Sequence, residues 1–423
     1  MKRATVSFIA AAILAGCGGQ QGDKAMKVVT SGSADTIQFA VGWSGANASA
    51  KAAATEALQA ALGAIDGRAK AVVFYTYFQD PDFQPDESSQ ASACKADIQA
   101  EDLVAGTIND LCGGIPNLGC RARPLTNGGT LLKNAVAVLA IGGRQASVAT
   151  AKVPIQDDRL ATGKAVAAAM KGVKDLKLIL ALAEMRLSFE AKQGVSVEDF
   201  IRGALDGAPK GAVLFGGNSM PDDMASAGGL AGKQFYNGQA MKGHVVALGL
   251  GGPFSAFGNH ANEFSPSART AAVTATKDKW VVTLGGKDKD GKAVDVPDGS
   301  LMFVAPIADG TKVFCLACQK APEPIVASAK AAIGESVAAA AKAGQAPALC
   351  LLSDCCARGM RLRTFTKKGN DEIRQAVLPA LGSGVPIFGF YAWGELGRIQ
   401  GQYQGMNHQY QQHTFVSTLL AVE

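Results

Sequence analysis

The chain has 423 residues, 48% of them hydrophobic and 18% charged, with 41 basic and 36 acidic side chains and a net charge of +5. That length and apolar content exclude a disordered polymer and lead us to expect two domains of ordinary size. The two signs are interspersed, which excludes a nucleic-acid footprint, while few aromatics and abundant Gly and Ala favour closely packed helices and tight turns.

In chain order, Lys2 and Arg3 supply a positive start, Val6 to Leu14 form a short apolar run, and Leu14-Ala15-Gly16-Cys17 closes it with small residues before a cysteine. This looks like a bacterial lipoprotein signal with its lipobox over residues 1–17, implying lipid attachment at the Cys17 thiol; a plain secretory signal with an incidental cysteine is the alternative. The run is too short to span a membrane. Gly18 rather than Asp follows the cysteine, so anchoring in the outer membrane on its periplasmic face is expected, with residues 18–32 as a flexible tether.

Thr36 to Val41 reads as a strand, Ala46 to Ile65 as an Ala-rich helix, Ala71 to Tyr77 as a strand and Lys95 to Leu111 as a helix. A strand at Asn134 to Ile141, a helix at Asp157 to Met170 and a strand at Leu176 to Leu182 follow. Next come a helix at Val197 to Leu205, capped by Ser196, and a strand at Gly211 to Phe215 running into Gly216-Gly217. This alternation predicts helices layered on a sheet. Beyond it, Lys233 to Tyr236, His244 to Leu250, Thr270 to Thr276 and Lys279 to Leu284 are short runs. Asn237-Gly238 and Asp290-Gly291 break them with residues suited to two-residue hairpin turns. Helices at Pro324 to Ala343 and Asn370 to Leu381 then alternate with strands at Ala348 to Leu352, Val385 to Tyr391 and Thr414 to Ala421. The expected fold class is α/β and α+β: an N-terminal layered α/β sheet and a C-terminal mixed, largely antiparallel sheet with helices. No period of equal repeats is evident.

Besides Cys17 there are eight cysteines, an even number that predicts disulfides in an oxidising periplasm. Clustering of Cys94, Cys112 and Cys120, and of Cys350, Cys355 and Cys356, favours local bridges. Cys315 and Cys318 have redox-motif spacing in a strand-like context, which favours a structural role. A thiol/disulfide redox protein built on them, or on adjacent Cys355 and Cys356, is one alternative, and half of a zinc site is another. No nucleophile elbow, phosphate loop or zinc-binding histidine pattern is present, so the chain reads as non-enzymatic with no metal.

Gly216-Gly217-Asn218-Ser219 turns after a strand and can present N–H groups to an anion, with Asp222 and Asp223 beside it for an ammonium; a tight strand exit and an acidic surface turn are the plainer readings. Near the end, Arg358 offers a planar fork to a carboxylate, Glu395 accepts an ammonium, and Tyr391 and Trp393 add faces with polar tips. That set suits an amino acid or a similar zwitterion. Pairing of Arg358 with Glu395 is the alternative.

Phe215 to Ser219, then Asp222 or Asp223, then Phe235 to Gly238 and Val245 to Leu250 succeed one another in an order that resembles the FIST family. The similarity continues through Ala272-Val273-Thr274, Leu284 to Lys287, Ile307 to Gly310, Cys355 and Arg358, Glu372-Ile373, and Gly389 to Glu395. It implies a FIST N-like domain over 33–236, a FIST C-like domain over 237–423, and a ligand site at Asn218, Ser219, Asp222, Cys355, Arg358, Tyr391, Glu395, His413 and Thr414. The short Gly286 to Ser300 segment and the Gln411-Gln412-His413-Thr414 element depart from the family pattern. The function implied is a lipid-anchored sensor or binding module for a small ligand such as an amino acid, without its own output domain and dependent on a separate signalling partner. No cofactor is expected, although some relatives imply a haem-binding nitric oxide sensor, with His408 or His413 as the ligand.

Overall fold

A computed structural model describes residues 27–45, 49–82, 95–189, 197–222, 232–261, 264–275, 280–285, 312–318, 322–362, 364, 370–398, 408–411 and 415–422. The first stretch gives β1 (Val28–Gly32), β2 (Gln38–Trp43), α1 (Ala50–Gly63), β3 (Ala71–Tyr77), α2 (Ile98–Cys112), β4 (Asn117–Arg121), the short hairpin β5 (Pro124–Thr126) and β6 (Gly129–Thr130), and β7 (Ala135–Gly142). The second gives β8 (Ser147–Pro154), α3 (Arg159–Ala169), β9 (Leu176–Ala183), α4 (Arg186–Phe189), α5 (Val197–Asp206), β10 (Val213–Asn218), the hairpin β11 (Gln234–Tyr236) and β12 (Gln239–Met241), and β13 (His244–Gly251). The third begins with β14 (Ser255–Ala261), carries a separate sheet of β15 (Phe264–Ala275), β16 (Trp280–Gly285) and β17 (Lys312–Cys318), and continues with α6 (Pro322–Lys342), β18 (Ala346–Cys355) and α7 (Cys356–Arg361). A π-helical turn at Ile373–Val377 then runs into α8 (Leu378–Leu381), followed by β19 (Ile387–Ala392), the antiparallel pair β20 (Glu395–Arg398) and β21 (His408–Gln411), and β22 (Phe415–Val422).

The fold is mixed α/β, and its three main sheets repeat one topology. Strands lie in the order β2-β7-β3-β4 in the first, β8-β13-β9-β10 in the second and β14-β22-β18-β19 in the third. In each, the last two strands of that order are parallel and the other neighbours antiparallel. A helical crossover joins each parallel pair, as parallel neighbours require. The chain is therefore a threefold repeat at the level of structure, a period that its sequence does not display.

The short pairs are exchanged between units. β5–β6 extends the third sheet beside β19, β11–β12 the first beside β4, and β20–β21 the second beside β10. Each unit thus lends a pair to another, and the three exchanges close a ring. Opposite each lent strand sits a glycine: Gly119 faces Phe235, Gly216 faces Leu396 and Gly389 faces Leu125. A methyl on any of the three would overlap the adjacent parallel strand at Phe74, Ala181 or Leu352. At Gly216 the φ of 151° is a further reason for glycine.

Strand alternation gives each of the three main sheets two apolar faces. The inner faces share one core, where Tyr75 stacks on Phe388 at 4.3 Å and lies 4.6 Å from Phe390. The outer faces form three separate cores under the helices, and each contains a borrowed residue: Phe235 in the first, Leu396 in the second, Leu125 in the third. Small residues let the helices approach closely. α1 buries a face of alanines over Gly42, and α3 and α5 touch through Gly163 and Gly203, where a side chain would strike backbone. Ser49, Asp97 and Asp158 cap α1, α2 and α3 by accepting backbone N–H groups.

Several expectations meet this arrangement directly. Asn237-Gly238 forms the predicted two-residue turn, with φ of 47° and 78° between paired Tyr236 and Gln239. The strand entering Gly216-Gly217 does not end there but runs through Asn218, and residues 28–32 of the expected tether form β1 against β2. The expected boundary at 236/237 falls inside the β11–β12 hairpin. Asp290-Gly291 and the Gly286 to Ser300 segment lie outside the described residues.

Candidate functional site

The carboxyl ends of the three parallel pairs are the places where an α/β sheet ordinarily receives a ligand. Here they meet. Met220 N donates to the Arg121 carbonyl (2.9 Å), Trp393 N to that of Asn218 (3.2 Å) and Tyr391 N to that of Arg123 (3.0 Å), so each unit is stitched to its neighbour at this end. Tyr77, Met220 and Trp393 pack together, and the Arg123 guanidinium lies 4.5 Å over the Tyr77 ring while bonding its hydroxyl at 3.0 Å.

One layer further in, polar side chains face the shared core. Ser219 accepts from Gln234 Nε2 at 2.7 Å, and Gln234 is paired with Cys120, itself beside Tyr75. Glu395 is paired with Gly217 and accepts from Gly394 N at 3.2 Å. A methyl placed on Gly217 would sit 3.0 Å from Ser353 Oγ and 2.8 Å from the Gly394 carbonyl. The glycine therefore lets β10 pack closely against Ser353, Ala392 and the Gly394 carbonyl. Tyr75, Gln234, Ser353 and Glu395 are all fully buried.

The outer faces hold two charged clusters. Arg358 donates from Nε to Asp354 (3.0 Å) and from its terminal nitrogens to Ser328, the Ile325 carbonyl and Glu372. It clasps β18, α6 and the π-helical turn. Burial, then the charge of Glu372, holds the Asp354 carboxyl well above its usual range against the opposing pull of Arg358. Burial first, then Asp354 and Glu372, likewise raises the Tyr391 hydroxyl. In the first unit Arg121 bonds Glu101 at 3.0 Å and the Pro221 carbonyl, and Phe78 N donates to the same Glu101 oxygen at 3.2 Å. Burial pushes the Glu101 carboxyl from 4.5 up to about 7, although Arg121 favours its ionised form.

The residues singled out from the sequence thus separate. Ser219 and Glu395 lie on the inner layer. Asn218 closes the junction by donating to Ser188 Oγ and the Trp393 carbonyl, both at 2.9 Å. Arg358 and Tyr391 belong to the outer cluster of the third unit, with Cys355 buried at the end of β18. Asp222 lies beside the junction, 3.6 Å from Lys242 Nζ, and its carbonyl accepts from Ala96 N. Cys17, Asp223, His413 and Thr414 lie outside the described residues, and His408 is placed in β21. Tyr75, Arg123, Gln234 and Ser353 were not anticipated. The available signal was a polar residue in an apolar strand, as in the Leu351-Leu352-Ser353 run.

The expected local bridges do not form among Cys112, Cys120, Cys350 and Cys356, which are free thiols. Cys112 packs under the helices while Cys120 points into the shared core, on the opposite face of the same sheet. Burial pushes the Cys112 thiol up to about 12. Cys94 lies outside the described residues, and Cys315 and Cys318 fall in β17. Among the described residues no group of three His, Cys, Asp or Glu is arranged to hold a metal, and no helix is long and apolar enough to cross a membrane.

A FIST N domain matches residues 90–287 and a FIST C domain matches 289–398. Together they span well over half of the chain, which belongs to the FIST-domain proteins. Such domains are generally taken as small-ligand sensory domains in signal transduction. No curated protein sequence matches the chain. Among solved structures, a cyanuric acid hydrolase from A. caulinodans is 11% identical over 94% of this chain and 99% of its own, with a TM-score of 0.36. Phosphoribosylformylglycinamidine synthase II from Thermotoga maritima is 12% identical over 94% and 74%, with a TM-score of 0.20. At these scores the likeness carries no argument about fold or chemistry.

Proposed function

We propose that the protein is a non-catalytic binding module for a small ligand, an amino acid or a similar compound, held by lipid at Cys17 on the periplasmic face of the outer membrane. The succession of FIST N and FIST C domains along 90–398 is the observation that carries the binding role. The meeting of three strand-pair ends at a buried polar layer supports it, because binding sites combine an apolar enclosure with a few convergent polar groups. The anchor rests on the run from Lys2 to Cys17.

Binding is tested by a thermal-shift screen of amino acids and related metabolites. Ligand at about 100 times its Kd stabilises the folded state by roughly 2.7 kcal/mol, a readily visible rise in Tm. No rise across the screen contradicts the reading. Anchoring is tested separately by growing cells with a labelled fatty acid: label enters the wild type and is lost in Cys17→Ser, whereas label retained in the variant rules out that cysteine.

A further inference from the structure

We propose that Glu101 is a proton-operated latch on the junction of strand ends: neutral, it holds the exits of β3 and β10 together, and ionised, it loosens them. The inference goes beyond the binding reading and stands whether or not a ligand is found. One oxygen carries the connection. Glu101 Oε1 accepts from Phe78 N at 3.2 Å and from Arg121 Nε at 3.0 Å. Phe78 is the residue that follows β3. Arg121 in turn donates to the Pro221 carbonyl, and its own carbonyl accepts from Met220 N at 2.9 Å. Met220 and Pro221 lie just beyond β10. Glu101 thus ties the strand exit of the first unit to that of the second. Tyr77 and Met220, which neighbour Phe78 and Pro221 in the chain, are the residues that pack with Trp393 at the junction.

The second oxygen makes the tie switchable. Glu101 is fully buried, and its Oε2 bonds to nothing among the described residues. Protonated there, the carboxyl keeps Oε1 as the acceptor for both donors and buries no charge of its own. Ionised, it leaves an unsolvated anionic oxygen in the core, a cost that opening to water relieves. Burial sets the balance: Arg121 on β4 opposes it, Asp222 beyond β10 reinforces it, and the carboxyl titrates at about 7 instead of 4.5. Neighbouring charges are engaged elsewhere. Asp222 has Lys242 at 3.6 Å, Lys95 has Asp80 at 2.7 Å, Lys233 before β11 has Asp102 of α2 at 2.6 Å, and Asp97 caps α2. Tyr77 lies under the Arg121 guanidinium at 5.5 Å, and burial, then Glu101, holds the Cys120 thiol above its usual range. Glu184, just beyond β9, is raised as well, by burial first, and also faces Asp222. Linkage fixes the sign: the closed junction binds the Glu101 proton more tightly than a hydrated one, so acid closes it and rising pH loosens it.

The test is hydrogen exchange of the detergent-solubilised full-length protein, read by mass spectrometry from pH 5 to pH 8, with each rate divided by the intrinsic chemical rate at that pH. Peptides covering Phe78 and Met220 are expected to lose protection by up to about 100-fold across this range in the wild type. Glu101→Gln keeps the shape and an acceptor oxygen but cannot ionise, and it is expected to hold that protection level. A purely structural role for Glu101 would lower protection equally at every pH and leave the slope unchanged. Protection independent of pH in the wild type overturns the latch without recourse to any variant. A decline that survives in the folded Glu101→Gln protein assigns the response to another acid, Glu184 first, and overturns it as well.

Discussion

Arg358 is fully buried, and Asp354, Ser328, Ile325 and Glu372 accept from its guanidinium. Removing it leaves two acids in the core without their cation, so Arg358→Ala is expected to cost about 3–5 kcal/mol. Thermal unfolding reads this directly, and an unchanged Tm contradicts the clasp. The pH response follows from the raised carboxyls. A group protonated in the fold and ionised in the unfolded chain makes stability fall as pH rises between its two values. For Glu101 that window runs from 4.5 to about 7. Glu101→Gln is therefore expected to flatten the decline of Tm relative to wild type across pH 5 to 7, and parallel curves refute it. Asp354→Asn acts in the same sense from the ordinary carboxylate range upward. Sequence reasoning identified Arg358, Tyr391 and Glu395 as a group, but β19 ends at Ala392 with Tyr391 facing outward in the third sheet, and Glu395 opens β20 in the second sheet, a change of sheet that motif order does not reveal.

The exchanged pairs decide which element stabilises which. Phe235 belongs in sequence to the second unit, yet it stacks on Phe74 at 5.6 Å in the outer core of the first. Phe235→Ala is expected to cost roughly 3–5 kcal/mol and to lower hydrogen-exchange protection in α1, α2 and β3. Loss confined to β10 and β13 contradicts the exchange. The hairpin itself was legible from Asn237-Gly238 because the turn chemistry is local. Of the twelve strands of the repeated sheets three were not: β4, β8 and β14. β4 has Gly119 at its centre, and β8 is a half-exposed strand of Ala, Thr and Lys residues, so neither shows an apolar run. Without them the units look unlike one another, and the repeat is hidden although the longer helices and the other five parallel strands are read almost in place. Partner choice among strands is likewise non-local, and no sequence spacing states that β5 lies beside β19.

At the scale of the molecule, ring closure makes the three units interdependent. A fragment ending near residue 252 keeps two units but lacks β20–β21 for its second sheet and β19 for its own β5–β6 pair. It is expected to unfold at low denaturant or to aggregate through its open edges, while the whole chain unfolds in one main transition of its ring. A stable, monomeric fragment contradicts this. The same closure brings three strand-pair ends to one buried layer, which no single unit builds alone. The most direct measurement is therefore a crystal structure of the protein with its best-binding amino acid. We predict ligand density where the carboxyl ends of the three parallel pairs meet. Ligand density at the Arg358 cluster, or only on the outer surface, contradicts the account.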